Sequence, residues 1–272
     1  MSDSGKFFYR CYSESSVGGL ISGKGRGHGR LFSTALRSEF WNHVQLDNKK
    51  PTALVSTSNR LIDTIQRAFN KFYRNREHPG QIWIAFIYVP DVDQHVYHHA
   101  EYLAKKYGCQ NSGRLRYEYL FEWQIPENCL LHKVSVKTLI EREFNMEEYL
   151  DQNGVLPPTW ELREEFAQRN LCPSDGGHDI GLSLGLLARR FGARAPVRRI
   201  ALQLLLDCAD VKSIDYNTQM VKIAYSGNRF IMDFSHFRDI DDGIDTALFE
   251  WWLEESQFMD AYEEHCDWAL QI

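Results

Sequence analysis

The apolar periodicity of this chain changes once, near residue 150, and that change restricts it to a strand-rich first half and a helical second half. Phe7 to Tyr12 predicts a first strand, and the glycine-rich stretch GGLISGKGRGHGR after it predicts a loop. TALRSEFWNHV has helical spacing, ALVSTS is a short β-prone run, and NRLIDTIQRAFNKFY places Leu61, Ile65, Ala68, Phe69 and Phe72 on one helical face. QIWIAFIYVP alternates as a strand does, EYLAKKYG predicts a helix ending at Gly108, and YEYLFEWQIP and CLLHKVSVKTL predict two further strands. Turn residues from Gly154 to Pro158 then introduce helical patterns in TWELREEFAQRNL, DIGLSLGLLARRFG and PVRRIALQLLLDCA, followed by two β-like runs, SIDYN and MVKIAYSG, that predict a hairpin. From Asp245 to Leu270 a helix is expected, with Leu248, Trp252, Met259, Tyr262 and Cys266 along one stripe. The expected class is α+β, with one domain over 1–150 and a mainly helical appendage with a short β-hairpin over 151–272.

With 272 residues, 43% of them hydrophobic and 25% charged, the chain is long enough to bury a core without disulfides or a structural metal. The net charge of −6 gives no global attraction to phosphate backbones or anionic lipid, so such a partner would need a local basic patch. Arginines interrupt the most apolar runs well before the roughly 20 residues of a membrane span. No membrane partner is therefore expected. The opening residues, MSDSGKFFYRCYS, lack a signal-peptide pattern, and Cys11, Cys109, Cys129, Cys172, Cys208 and Cys266 lack CxxC spacing. The expectation is a cytoplasmic protein with reduced thiols, or one delivered into a host cell.

Two motifs imitate ligand sites. Gly18-x4-Gly23-Lys24 resembles the start of a phosphate-binding loop, but Gly25 stands where a Mg²⁺-binding hydroxyl is required and GRGHGR cannot open a helix. The residues Asp91, Asp93, His95, His98 and His99 are of metal-ligating types but follow a strand, which reads as a solvated loop.

A third group is more specific. Arg10 lies in the early strand, Ser56-Thr57-Ser58 ends the next, and Glu118 opens the later strand EYLFEWQIP. A carboxylate stabilises the positive charge that develops on a sugar ring when a glycosidic bond breaks, and Glu118 would supply it. A guanidinium matches diphosphate or ribose oxygens, and small hydroxyls at a strand end hold ribose and glutamate in register. Taken singly, Arg10 could be a strand-edge arginine, the STS triplet a cap for a helix starting near Asn59, and Glu118 an exposed strand residue.

Taken in order, with Ser13 three residues after Arg10, the GGL stretch, VSTS before a helix, and the Tyr88 to Pro90 strand end, these residues resemble the R-S-E branch of the ADP-ribosyltransferase superfamily. Cholera toxin and the heat-labile enterotoxins belong to that branch, and the chain looks closer to uncharacterised, mainly fungal, proteins with a similar core. The resemblance covers about the first half of the chain. It implies a split mixed β-sheet and an effector-like transferase that releases nicotinamide from NAD⁺, the co-substrate, and passes ADP-ribose to a macromolecular acceptor or to water. No metal is implied. Glu118 would be catalytic, Arg10 would bind NAD⁺ and order the site, Ser56 would brace the cleft, and Thr57 and Ser58 would support ribose. The loop from Gly108 to Tyr117 would face the acceptor, with Arg116 and Tyr117 as contacts. Arginine-modifying members carry a glutamate two residues before the catalytic one, where this chain has Arg116. Side chains two apart share a strand face, so Arg116 is expected to point into the cleft beside Glu118 and repel a guanidinium, and an acceptor other than arginine is expected, nucleic acid included. Glu122 is a badly placed substitute. Two rivals stay open: a catalytically inactive interaction module of the same fold, and a winged-helix-like unit in the helical half using Arg189, Arg190, Arg194, Arg198 and Arg199, whose bland reading is a solvated helix face.

Overall fold

The structure is a computed structural model and describes residues 5–45, 48, 50–171, 176–225 and 228–249. The chain divides into two compact units, Met1–Thr159 and Trp160–Ile272. The first contains β1 (Gly5–Tyr12), α1 (Ser33–Val44), β2 (Leu54–Ser58), α2 (Leu61–Tyr73), β3 (Trp83–Pro90), β4 (Tyr97–His99), α3 (Ala100–Tyr107), β5 (Glu118–Glu122), β6 (Leu130–Ser135) and α4 (Val136–Glu141).

These strands form a six-stranded antiparallel sheet in the order β4-β5-β2-β1-β3-β6. β1 pairs along its whole length with β3, from Gly5↔Pro90 to Tyr12↔Trp83, and β2 along its whole length with β5, from Leu54↔Glu122 to Ser58↔Glu118. Between β1 and β2, however, the register is confined to Tyr9↔Ser58 among the described residues, so the two halves part on either side of that pair. Strand alternation sets the layers. Leu54 and Leu120 face Leu36 and Phe40 of α1 and Leu103 of α3, while their neighbours Val55 and Phe121 face Phe8, Ile87 and Tyr97 on the other side. Helix α2 buries Leu61, Ile65, Ala68 and Phe69, as the helical spacing predicts.

Several boundaries differ from the sequence expectation. β5 stops at Glu122 because Trp123 turns into the left-handed region with φ 64, which breaks the extended course expected through Pro126. β6 stops at Ser135, whose hydroxyl accepts from Thr138 N at 3.1 Å and so starts α4 inside the expected strand CLLHKVSVKTL. α2 starts at Leu61 rather than Asn59.

In the second unit, α5 (Thr159–Asn170), α6 (Gly177–Arg189) and α7 (Val197–Cys208) lead into β7 (Asp210–Asp215), β8 (Met220–Tyr225) and β9 (Asn228–Asp233). The expected hairpin is therefore a three-stranded sheet, its third strand being NRFIMD. Residues 234–249 are helical, so this helix begins before the expected Asp245, and the expected stripe positions Trp252, Met259, Tyr262 and Cys266 lie outside the described residues. α6 packs on it through glycines: a Cβ on Gly181 would sit 1.9 Å from the carbonyl oxygen of Ile240, and one on Gly243 2.1 Å from that of His178. Both positions need glycine for the backbones to approach. Among the described residues no helix is long and apolar enough to cross a membrane.

Candidate functional site

Arg10 occupies the centre of β1 and sends its guanidinium across the parting between the sheet halves. Its Nε donates to the carbonyl of Gly19 at 2.6 Å, Nη2 to that of Gly18 at 3.1 Å, and Nη1 to that of Ser56 at 2.5 Å. One side chain thus fastens the glycine-rich loop to β2. Gly18 has φ 83, and a Cβ there would meet the Ile21 carbonyl oxygen at 2.4 Å, so the glycine pair serves a tight turn that presents these carbonyls. Burial brings the Arg10 pKa down to about 10, against the opposing effect of nearby groups that include Glu118.

Glu118 is the first residue of β5, directly opposite Ser58. Ser56, two residues back on the same face, donates its hydroxyl to Glu118 Oε1, and His43 Nε2 lies 3.3 Å from that same oxygen. His43 Nδ1 in turn lies 3.3 Å from the hydroxyl of Thr52. Burial would raise the Glu118 pKa, but the hydrogen bond and charge of His43, the Ser56 bond and the charge of Arg67 together hold it below the ordinary carboxylate value. The side chain is still 22% exposed. The arrangement is an ionised, partly exposed carboxylate, fixed by two donors on one oxygen, beside a pinned guanidinium.

Arg10, Ser56 and Glu118 are therefore brought together. Thr57 is on the opposite face of β2, buried, and donates to the carbonyl of Tyr119 at 3.0 Å. Ser58 is also buried, and its hydroxyl accepts from Arg60 N at 3.0 Å. Arg116 departs from expectation. Its backbone is helical, with φ −55 and ψ −32, because it closes a short 3-10 turn before β5 begins, so period-two alternation does not carry it onto the face of Glu118. It is exposed, with its guanidinium 5.4 Å from the ring of Tyr117, whose face also carries Arg60 at 3.3 Å.

Glu122, at the far end of β5, does not substitute for a carboxylate near Glu118. It accepts from His98 Nε2 at 2.7 Å and from Leu31 N at 2.5 Å, with Arg30 at 3.8 Å. These bonds anchor the end of the glycine-rich loop. A cavity of about 280 Å³ lies against it, lined by Gly27, Gly29, Arg30, His95 and Trp123, and the Trp123 ring lies where a Cβ on Gly27 would be 2.0 Å away. The other members of the acid and histidine group are dispersed: Asp91 accepts from Gln94 at 2.7 Å and His99 Nε2 donates to the carbonyl of Arg116 at 2.8 Å. Among the described residues no three His, Cys, Asp or Glu side chains are grouped to hold a metal ion. In the second unit, the expected arginine patch is partly neutralised, since Arg198 bonds Asp245 at 2.6 Å and also Asp241.

Sequence reasoning missed His43. Its signal was available, because Leu36, Phe40 and His43 follow one another at helical spacing, and a histidine continuing a buried stripe points at the sheet. What that stripe meets depends on a pairing 75 residues away in sequence, which periodicity does not report.

The first unit defines an α+β class with an antiparallel six-stranded sheet and a carboxylate site at its parting. Residues 3–139 match the family of domains of unknown function DUF7587, and the chain belongs to that family. No curated protein and no solved structure matches it.

Proposed function

We propose that the first unit is an NAD⁺-dependent mono-ADP-ribosyltransferase of the R-S-E type. The observation that carries this reading is the convergence of Arg10, Ser56 and Glu118, from three strands, on the line where the sheet parts. Those residues suit NAD⁺: Arg10 has N–H groups on Nη1 and Nη2 beyond its three carbonyl bonds, and Glu118 is accessible and ionised. When bound, NAD⁺ supplies a glycosidic bond whose cleavage leaves positive charge on ribose and releases nicotinamide with the bonding electron pair. Glu118 stabilises that charge, Ser56 and His43 hold the carboxylate in position and keep it ionised, and Arg10 orders the loop that closes on the ligand. The acceptor then bonds to the ribose carbon and gives up its proton. The cationic surroundings of Tyr117 favour an acceptor other than arginine, since a guanidinium would meet like charge from Arg60 and Arg116.

The test is incubation of the protein with adenine-labelled NAD⁺ and a cell lysate. Transfer of label to macromolecules, or release of free ADP-ribose, supports the reading. Intact NAD⁺ after prolonged incubation contradicts it and favours the inactive interaction module.

A further inference from the structure

We propose that the face formed by the last turn of α3, the loop of residues 108–117 and Arg37 of α1 binds single-stranded nucleic acid. In a chain whose net charge is −6, residues 102–117 contain Lys105, Lys106, Arg114 and Arg116 and no acid. A solvated helix face ordinarily mixes both signs, so this run needs a reason. All four cations and Arg37 are exposed.

The fold gathers them on one surface. The loop turns back on α3 through Gly108, in the left-handed conformation, and Cys109 N donates to the carbonyl of Ala104 at 2.8 Å. Leu115 and Tyr107 pack against the apolar cluster that α1 and α3 share, and His99 holds the carbonyl of Arg116. Glu101 also lies at this surface, paired with Lys105 at 2.6 Å; its carboxyl is held below the usual range by that bond, with the charges of Lys105, His99 and Arg116 in support. Two rings are held among these charges and a third is exposed beside them. Arg37 lies 6.0 Å and Lys106 5.8 Å from the Tyr107 ring, and Tyr117 lies between Arg60 and Arg116. Tyr102, 62% exposed, stands on the same side of α3 as Lys105 and Lys106 by helical spacing.

Cations that track a phosphate backbone, beside the exposed ring of Tyr102 on which a base stacks, are what a single strand requires. A duplex keeps its base faces covered, and an acidic peptide offers charge without flat rings. The chain passes from this face into β5 and Glu118 through Arg116 and Tyr117. The inference goes beyond the transferase reading and does not depend on it, because the cations and rings bind a polyanion whether or not Glu118 acts on it.

The test is fluorescence anisotropy with the full chain and an end-labelled, mixed-sequence oligodeoxynucleotide of about 20 nucleotides, between about 50 and 200 mM salt. The expected result is saturable binding that weakens with a log–log slope of about −2 to −3, as for three or four phosphates on a single strand. Lys106→Glu combined with Arg114→Glu weakens binding at least about tenfold at the lower salt and flattens the slope. Tyr102→Ala weakens it with the slope unchanged. These positions are exposed, so circular dichroism matching the wild type is expected for both variants. Absence of binding at the lowest salt, or wild-type binding by the charge-reversed variant, overturns the proposal. So does competition by polyglutamate as effective as competition by unlabelled oligonucleotide, which would assign the face to an acidic protein partner.

Discussion

Ser56 and His43 both reach the same oxygen of Glu118, so the protonation state of that carboxyl depends on two neighbours of different strength. Removing the imidazole takes away the largest of the contributions, from His43, Ser56 and Arg67, that offset burial. His43→Ala therefore raises the Glu118 pKa, which carbon-detected NMR titration of the side-chain carboxyl would show. An unchanged midpoint would mean that Ser56 and Arg67 keep the group ionised without the imidazole. Arg10 makes a different prediction. A lysine can replace its charge but not a fork that spans three carbonyls. Arg10→Lys is expected to loosen the loop it holds, and limited trypsin cleavage after Lys24 and Arg26 should accelerate by about tenfold. Cleavage at the wild-type rate would show that the anchoring by Glu122 at the other end of the loop suffices.

At the scale of elements, α6 and the helix of residues 234–249 approach closely enough for backbone to meet backbone at Gly181 and Gly243. Gly181→Ala places a methyl against the Ile240 carbonyl and is expected to destabilise the protein by about 1–3 kcal/mol, measured by urea unfolding. A change within about 0.5 kcal/mol would mean that the helices separate without cost. The same scale shows why the sequence was partly legible. Strands β1, β2 and β3 announce themselves as short β-branched and aromatic runs, and helices α2 and α3 by an apolar stripe at helical spacing. The end of β5 was illegible because it depends on one residue, Trp123, taking a left-handed turn over Gly27, a choice made by tertiary packing. Arg116 was misplaced for a related reason: the alternation rule holds only inside a strand, and β5 begins two residues later. Arg10, Ser56 and Glu118 were found by their order and chemistry, whereas His43 needed the register of α1 against β5.

For the molecule as a whole, Glu118 and Glu122 tie the two ends of β5 to α1, to β4 and to the glycine-rich loop, and the pKa of each is lowered in the folded state. A carboxyl with a depressed folded pKa adds stability that is fully present above its unfolded value, 4.5, and is lost as the pH falls through the folded value beneath it. Urea midpoints are thus expected to fall as the pH drops below about 4.5, and Glu122→Gln to flatten that fall. An equally steep acid limb in the variant would remove Glu122 from the account. The central claim, that Glu118 acts on charge developing at ribose, is tested most directly by Glu118→Gln, with NAD⁺ binding followed by calorimetry and nicotinamide release by chromatography. The amide keeps the shape of the side chain and removes its charge, so binding should persist while nicotinamide release falls at least about 10²-fold. Release at close to the wild-type rate would contradict the account.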